Sequence, residues 1–550
     1  MSDGDARRTG IMYGSKVPTL WLDYASGQGV TDDGAAAQRI IGRGRKTPNL
    51  TDMLDMAHSY GAKRIMLTGR VPSLRNNVRA WLLVQTPGWK VRNQGHRVNN
   101  NPPVGRFQHA QTGHSVDVRL ASEWFDPDLD LTPAQAREAW QVTETVVQSI
   151  NERQHLLYSP SRTGVSLWWA SLPKTKDQKR SIIVPPHVSQ DIADDLHRTS
   201  NQGHIEHMVS GPNFDKHPDM VPLIDLDKTP RISTFTNIDG RFMYAAMGRE
   251  LGIGPGIRLN REQTALRLFD HEHRYDRIWC EVRFTVPDDW HHIGILGVRH
   301  ERVDDGWFFP NRPGAQHVTW ADASEVAVAI THGWHIEPLQ GIVFEKARPM
   351  DNFMSAINRV RDATERNEDL SRPMRHAVSG ALRSLLIQTV GALASRGGTK
   401  TMVADTLMDV PPEYSRSAVE HGKIWVYEAP GDKREIANYH PEISIQVWGR
   451  ARARLLVAPT AREFGQPGGV LTLPGSSIIG VNSDAVYTTE VPAWSLPTKY
   501  GGGDDGATGR LRLKGTTSGD YATPATTQDR DRLKARSLKA GVSAAWTKGE

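Results

Sequence analysis

Apolar and polar positions in the first 150 residues alternate between runs typical of strands and spacings typical of helices. The predicted strands are VPTLWLDY (17–24) and KRIMLTG (63–69), with helical patterns between and after them, in NLTDMLDMAHSYG and SLRNNVRAWLLVQ. Thr132 and Pro133 then predict the N-cap and first turn of a long amphipathic helix. Because strands and helices alternate, this segment is expected to form an α/β domain around a central sheet.

The pattern changes after about residue 155. From there to residue 238 it predicts short strands and proline-rich turns, ending in the extended run RISTFTNI just before Asp239. Segment 279–299 predicts a hairpin of two strands around a Pro-Asp-Asp turn, and a helix near ADASEVAVAITHG follows. Residues 350–396 and 438–456 carry helical periodicity with many arginines. The second part of the chain is therefore expected to be α+β.

Composition narrows the class of protein without deciding it. At 550 residues the chain is long enough for two to four domains, and 38% hydrophobic with 23% charged residues is ordinary globular usage. The net charge of +5 permits a nucleic-acid partner but does not demonstrate one. The single cysteine, Cys280, excludes an intramolecular disulfide and a multi-cysteine zinc site.

The first ten residues, MSDGDARRTG, lack the apolar core of a signal peptide, and nowhere do about 18 apolar residues run together. We therefore expect a soluble, cytoplasmic protein with no membrane partner.

An aspartate and a tyrosine follow the strand-like run RISTFTNI, within NIDGRFMYAAMGRELG (237–252). A carboxylate at the end of a strand projects beyond the sheet, where it can bind a divalent cation while the backbone stays paired. Asp239 is therefore a candidate metal ligand, and the alternative is an ordinary helix N-cap.

A second acidic candidate lies in GSSIIGVNSDAVYTTEVP (474–491), where two apolar strands are joined by a tight turn at Asn482-Ser483-Asp484. An acid at the tip of a hairpin, beside another strand that bears an acid, can complete a two-metal site for nucleotidyl transfer. Asp484 is the candidate ligand, and an ordinary turn residue is the alternative.

Together the two segments resemble motifs of family B DNA polymerases. DGRFMYAA resembles motif A, D-x-x-S-L-Y-P-S, with Asp239 and Tyr244 at its aspartate and tyrosine. VNSDAVYTT resembles motif C, Y-x-D-T-D-S, with Asp484 at the second aspartate and Asn482 at the first. The resemblance implies that Asp239 and Asp484 are catalytic and hold two Mg²⁺ or Mn²⁺ ions. It also implies that Tyr244 lies beneath the sugar of a deoxynucleoside triphosphate; otherwise Tyr244 is a core aromatic.

Further segments match the same family in order. SNQGHIEHM (200–208) is similar to the Y-x-G-G-R-x-E segment of protein-primed members, which contacts the template, and it retains Gly203 and Glu206. Residues 306–363, with Glu325 on a helix, are similar to the palm region after motif A. The resemblance implies DNA template and primer as partners, and a terminal protein or another replication protein in addition.

The fingers motif is the least complete. The family pattern K-x-x-x-N-S-x-Y-G falls on a segment in which only a basic residue, Arg383, and the glycine, Gly391, correspond. A guanidinium binds phosphate oxygens well, so the two are candidate substrate-binding residues. The alternative for Arg383 is a helix-surface arginine.

The best candidate basic surface lies near the end of helix 438–456, where Arg450, Arg452 and Arg454 are candidate DNA contacts. The alternative is a solvated helix face whose arginines pair with nearby acids. Residues 509–524 are similar to the family's strands between palm and thumb, although the expected K-x-Y lysine is not evident.

In the family, the first domain is a 3′→5′ exonuclease with a fold resembling ribonuclease H and a D-x-E motif on its first strand. Here LWLDYASG retains Asp23 but has Ala25 in place of the glutamate, and Asp117 and Asp128 are further acids whose spacing matches no exonuclease motif. We expect this domain to be present in shape and inactive as a nuclease.

These resemblances predict five segments and one leading function. The segments are an exonuclease-like α/β domain (1–155), a first palm part (156–345), fingers helices (346–437), a second palm part (438–500) and a short thumb-like region with a basic tail (501–550). The leading hypothesis is a DNA-directed DNA polymerase of a phage, plasmid or mobile element, acting in the host cytoplasm if phage-encoded. The alternatives are a catalytically inactive DNA-binding or replication scaffold and a nuclease that uses the N-terminal acids.

The missing glutamate at Ala25 gives a first prediction. Incubated with a primer that carries a 3′ mismatch, in Mg²⁺ or Mn²⁺, the purified protein should not shorten the primer, because one aspartate cannot assemble a two-metal nuclease site. Gel analysis of the labelled primer measures this, and robust 3′ trimming would contradict it.

Overall fold

The computed structural model of the chain describes residues 11–42, 45–69, 86–94, 105–126, 129–178, 180–199, 206–210, 217–273, 276–300, 306–395, 399–404, 406–421, 424–430 and 438–541. Its strands are β1 Thr19–Asp23, β2 Gly29–Val30, β3 Ala36–Ala37, β4 Arg64–Thr68, β5 Trp89–Gln94, β6 Gly105–His109, β7 Ser115–Leu120, β8 Glu206–Met208, β9 Arg231–Gly240, β10 Leu251–Leu259, β11 Arg277–Thr285, β12 Val298–Arg299, β13 Trp307–Phe308, β14 Gln316–Asp322, β15 His335–Ala347, β16 Thr399–Ala404, β17 Val419–His421, β18 Ile424–Pro430, β19 Ile478–Asn482, β20 Ala485–Thr488 and β21 Leu511–Ala522. Its α-helices are α1 Leu50–Ser59, α2 Pro133–Ile150, α3 Pro160–Ser171, α4 Gln190–Thr199, α5 Met243–Met247, α6 Arg261–Phe269, α7 Ala323–Thr331, α8 Asp351–Arg366, α9 Arg372–Leu393, α10 Pro441–Leu456 and α11 Thr527–Ala540.

The chain is a mixed α/β protein that forms two compact units, each built from two chain segments. The first unit comprises Met1–Ile183 and Ser355–Tyr439, and the second comprises Val184–Met354 and His440–Glu550. The finer division into five segments stays a prediction. No helix within the described ranges is long and apolar enough to cross a membrane.

A seven-stranded sheet with the order β3-β2-β1-β4-β7-β6-β5 organises the first unit. Strands β1, β4 and β7 are parallel neighbours, and the flanking strands are antiparallel. Leu20, Trp21 and Leu22 on β1 and Ile65, Met66 and Leu67 on β4 are fully or almost fully buried, and because successive side chains point to opposite faces, both faces of these strands are covered. This confirms the predicted strands and the central sheet.

Helix α2 begins as the sequence predicts. Thr132 is the N-cap, its hydroxyl accepts a hydrogen bond from the amide of Gln135, and Pro133 occupies the first turn. In the same unit α3 packs against α9 at Gly164, where a Cβ would lie 1.9 Å from the Thr389 hydroxyl, so only glycine permits this approach.

A five-stranded sheet with the order β21-β9-β20-β19-β8 carries both candidate aspartates in the second unit. All its pairings are antiparallel, and α11 packs on β21 and β9. A second sheet of the same unit has the order β10-β15-β11-β14, with α6 and α7 against its strands.

Two predictions about secondary structure are wrong. Between residues 155 and 238 the structure contains helices α3 and α4 as well as strands. Helix α3 is buried almost all round and therefore shows no amphipathic period, whereas α4 has one apolar face, with Ile192, Ala193 and Leu196 buried. Segment 279–299 is not a hairpin: β11 pairs with β14 and β15, which occupy both of its edges, and the second run contributes only Val298–Arg299.

The helices predicted within 350–396 and 438–456 and near ADASEVAVAITHG are confirmed as α8, α9, α10 and α7. The basic segment near the end of the chain, RDRLKARSLKAG, lies largely within helix α11. The helical pattern SLRNNVRAWLLVQ lies outside the described residues.

Candidate active site

The two candidate aspartates, 245 positions apart in the sequence, are neighbours in the five-stranded sheet. Asp239 on β9 pairs with Ala485 on β20, and Asp484 precedes Ala485 in the turn after β19. The amide of Gly240 donates to the Asp484 carbonyl at 3.0 Å. Asp239 is 5% exposed and Asp484 is half-buried. The sheet register thus brings both acids to one place.

Gly240 allows the Asp484 carboxylate to approach β9. A Cβ at position 240 would lie 2.8 Å from Asp484 Oδ2 and 2.7 Å from the Met243 Cβ. The hairpin turn that carries Asp484 also holds Ser483 at φ 51°, a left-handed conformation that non-glycine residues rarely adopt. The glycine at position 240 and the left-handed Ser483 therefore both help to bring Asp484 close to Asp239.

Lys514 is a site residue that the sequence did not reveal. Its ammonium lies 2.9 Å from Asp239 Oδ2. On β21, Leu513 pairs with Ile238 and Gly515 pairs with Asn237, so Lys514 is the extra residue of a β-bulge. A bulge redirects a side chain, which explains why a residue next to Leu513 can reach Asp239. In the sequence, this lysine is marked only by the segment LRLKGTT, which does not itself indicate a contact with Asp239.

An ion pair with a buried carboxylate anchors the turn that follows Asp239. Arg241 Nη2 lies 2.6 Å from Asp504 Oδ2, and Asp504 is 4% exposed. The Arg241 amide donates to the Arg510 carbonyl, and the Gly509 amide donates to the Arg241 carbonyl, both at 2.7 Å. The loop before β21 is thereby fixed to the residues just after Asp239.

Tyr244 lies on the short helix α5, which starts after Phe242 at a left-handed φ of 50°. Tyr244 and Ser483 line the same small cavity, of about 60 Å³. The tyrosine is half-buried rather than a core residue, and it lies beside the turn that carries Asp484.

The predicted template-contacting segment lies in the same sheet. Glu206 on β8 is the cross-strand partner of Asn482 on β19, so this strand is next to the hairpin that bears Asp484. Gly203 lies outside the described residues.

The three arginines of α10 have different surroundings. Arg450 Nη1 donates to the Met247 carbonyl at 2.8 Å, which ties α10 to the end of α5, and Arg454 is half-buried. Arg452 is 5% exposed and donates to the carbonyl of Gly294 at 3.0 Å. The prediction that Arg452 lies on a basic surface and contacts DNA is therefore wrong, because α10 is buried on nearly every side and places this arginine in the interior.

Arg452 instead lies in the interior between an aromatic ring and a buried carboxyl group. Its guanidinium lies 3.8 Å from the Phe309 ring centroid, and Nε lies 3.8 Å from Glu325 Oε1 on α7. A Cβ at Gly449 would lie 2.9 Å from Glu325 Oε2, so this glycine lets α7 and α10 approach closely. Burial raises the pKa of Glu325 to about 8, although Arg452 acts in the opposite direction.

The remaining candidates lie in the first unit. Arg383 and Gly391 are on helix α9. Asp23 accepts hydrogen bonds from the amide and hydroxyl of Ser26, and Asp117 forms a two-bonded ion pair with Arg106.

The register of this sheet separates Asp23 from Asp117. Asp23 pairs with Thr68 at one end of β4, whereas Asp117 pairs with Arg64 at the other. Asp128 lies outside the described residues.

The carboxylate pair fits the way proteins bind magnesium. Among the described residues no group of three or more His, Cys, Asp or Glu side chains is arranged to hold a metal ion. Magnesium in nucleotide enzymes, however, needs only one or two carboxylates, and substrate phosphates and waters complete its shell. The Lys514 ammonium at Asp239 shows that a cation is stabilised at this position.

Solved structures with this fold include three of phi29 DNA polymerase. Its orthorhombic crystal form matches with a TM-score of 0.52 and 11% identity, over 92% of this chain and 85% of that chain. Its complex with primer-template DNA and incoming nucleotide substrates gives 0.51 and 10%, over 92% and 86%. Its binary complex with primer-template DNA gives 0.52 and 10%, over 92% and 85%.

The chain therefore has the fold of phi29 DNA polymerase, across most of both chains. The sequence matches no protein-family model and no curated protein.

The buried Glu325 carboxyl predicts a pH dependence of stability. Because its folded pKa of about 8 lies above the ordinary value of 4.5, the folded state binds one more proton than the unfolded state between these pH values. Stability should therefore fall as the pH rises from about 5 to about 8, and Glu325→Gln should remove up to about 4 kcal/mol of that fall.

Melting temperatures measured across this pH range test the prediction. The control is Glu272→Gln, at an exposed position of the same unit, which should keep the wild-type profile. Identical profiles for Glu325→Gln and wild type would show that Glu325 is already ionised at neutral pH.

Proposed function

We propose that this protein is a DNA-directed DNA polymerase of the family B type. The observation that supports it best is the convergence of Asp239 and Asp484 on adjacent strands of one sheet, in a chain with the fold of phi29 DNA polymerase. Its substrates are a DNA template, a primer and deoxynucleoside triphosphates. The phage, plasmid or mobile-element setting, a terminal protein partner and a cytoplasmic location complete the proposal.

Asp239 and Asp484 would hold two Mg²⁺ or Mn²⁺ ions. Bound there, the ions would activate the primer 3′-hydroxyl and neutralise the triphosphate. Lys514 must then move from Asp239 or share its carboxylate with a metal ion, because the ammonium already lies at Oδ2. Asn482 occupies the first motif C position, where its amide oxygen is a weaker ligand than a carboxylate.

Other residues have supporting roles in this proposal. Tyr244 lies beneath the sugar of the incoming nucleotide, and Arg383 with Gly391 on α9 binds its triphosphate. Gly203, Glu206, Arg450 and Arg454 contact DNA. The first domain resembles ribonuclease H in shape, because its sheet order β3-β2-β1-β4-β7 places two antiparallel strands on one side of β1 and the parallel strands on the other. It is inactive as a nuclease.

One observation favours a second function. The ammonium of Lys514 already balances the negative charge of Asp239, so this carboxylate is stable without a metal ion. Together with Asn482, this supports a catalytically inactive polymerase-like protein that binds DNA or serves as a replication scaffold.

Primer extension distinguishes these two functions. Wild-type protein with Mg²⁺ or Mn²⁺ should extend a primed template, and Asp239→Asn and Asp484→Asn should each lower the rate at least about 100-fold, because a lost carboxylate weakens stabilisation of charge in the transition state. Asp289→Asn, at an exposed aspartate of the same unit, is the matched control and should retain wild-type activity.

A folded wild-type protein that binds DNA in a salt-dependent manner but incorporates nothing, on primed or terminal-protein templates, would support the scaffold. In that case Asp239→Asn should leave DNA binding unchanged.

The position of Tyr244 predicts sugar discrimination. Tyr244→Val should raise incorporation of ribonucleotides relative to deoxynucleotides by at least about tenfold, because the ring no longer collides with the 2′-hydroxyl. Tyr244→Phe keeps the ring and should keep the discrimination. Single-nucleotide incorporation assays give both ratios, and unchanged ratios in Tyr244→Val would place the tyrosine away from the sugar.

A further inference from the structure

Four tryptophans line two adjoining depressions beside the candidate active site. Trp279, Trp320 and Trp448 line the inner cavity together with Tyr244 and Ser483, and Trp307 and Trp320 also line an outer depression of about 470 Å³. Trp307 lines both, so the two depressions adjoin. We call these four tryptophans and the space between them the tryptophan groove.

The outer depression lies on one face of the sheet β10-β15-β11-β14. Trp320, Glu281 and Gln340 are cross-strand neighbours on this face, and Gln340 donates to Glu281 at 2.7 Å. The opposite face is covered: a Cβ at Gly341 would lie 3.1 Å from the Thr264 hydroxyl of α6. One face is therefore packed on helices, and the other presents a half-buried indole.

Three of the four tryptophans offer ring surface. Trp307, Trp320 and Trp448 are half-buried, and none forms a ring pair with another described residue. Trp279 is 5% exposed, and its indole N–H donates to the Thr199 hydroxyl at 3.1 Å, which fixes the floor of the groove. Preorganised aromatic surface of this kind stacks nucleobases.

One cation beside the groove suits a phosphate group. Arg198 and Arg299 line the outer depression and are exposed. Asp195 and Glu281 line it as well: Asp195 pairs with Arg198 and, at 2.7 Å, with Arg258, whereas Glu281 accepts from Gln340 and keeps its negative charge. Arg299, whose guanidinium donates to the Arg198 carbonyl at 3.2 Å, is thus the cation that lies next to the indoles, and cations beside aromatic rings occur in proteins that bind single strands.

We propose that the tryptophan groove binds single-stranded DNA, with bases stacked on Trp307 and Trp320 and a phosphate near Arg299. The inner cavity beside Tyr244 and Ser483 is too small for a base, but Trp307 and Trp320 line it as well, so the bound strand passes along its edge toward the candidate active site. A duplex offers no free base faces for such stacking, and the groove therefore selects unpaired nucleotides. The inference rests on the proposed function, because it assigns a strand to the polymerase site.

Fluorescence anisotropy with labelled oligo-dT and the full-length protein tests the proposal. Trp320→Ala and Trp307→Ala should each weaken binding about tenfold, within the range measured for loss of one stacked base. Trp320→Phe and Trp307→Phe should restore most of the affinity. The control is Phe269→Ala, which removes an aromatic that is 54% exposed on α6, and it should bind like wild type.

Unchanged affinity in both alanine variants would overturn the proposal, as would an equal loss of affinity for blunt duplex DNA. If the alanine variants do not fold, photocrosslinking of wild-type protein to an oligonucleotide that contains 5-iodo-deoxyuridine decides instead. Crosslinks at Trp307 or Trp320 support the groove, and crosslinks only elsewhere overturn it.

The same binding assay separates this inference from the proposed function. Stacking-dependent binding without nucleotide incorporation would leave the groove intact and reject polymerase activity. Nucleotide incorporation by a protein whose affinity for oligo-dT does not depend on the tryptophans would support polymerase activity and reject the groove.

Discussion

The second unit depends on one electrostatic constraint: two carboxylates must stay together on neighbouring strands. Like charges on neighbouring strands repel each other, so a cation beside them stabilises such a pair. In this chain Lys514 supplies that cation at Asp239, through a bulge in β21. The absence of a Cβ at Gly240 admits the Asp484 carboxylate.

A second set of buried charges supports the same sheet from the side of α10. Arg450 holds the end of α5, the helix that carries Tyr244, by donating to the Met247 carbonyl. Arg452 lies between Phe309 and Glu325, where burial lowers the pKa of its guanidinium to about 10 while Glu325 opposes the shift. Because unpaired buried charges are costly, these contacts restrict α7 and α10 to one arrangement. The helix that the sequence suggested as a basic surface is therefore largely a structural support.

Local patterns predicted individual elements well. The strands around Leu22 and Leu67 and the helix capped by Thr132 follow directly from apolar runs and capping chemistry, which act over a few residues. The same reasoning failed for α3, where burial on nearly all sides removes the periodic signal. It also failed for segment 279–299, where strands distant in sequence occupy the edges of β11.

The sequence by itself determined the chemical character of the candidate site: an aspartate after a strand, an aspartate in a tight turn and a tyrosine between them in order. It could not show that Asp239 and Asp484 are neighbours, because sheet register over 245 positions depends on the packing of the whole unit. Only the tertiary structure placed Lys514 at Asp239, buried Arg452 and gathered four tryptophans beside Tyr244. Each of these outcomes comes from contacts between distant segments, and such contacts leave no period in the chain.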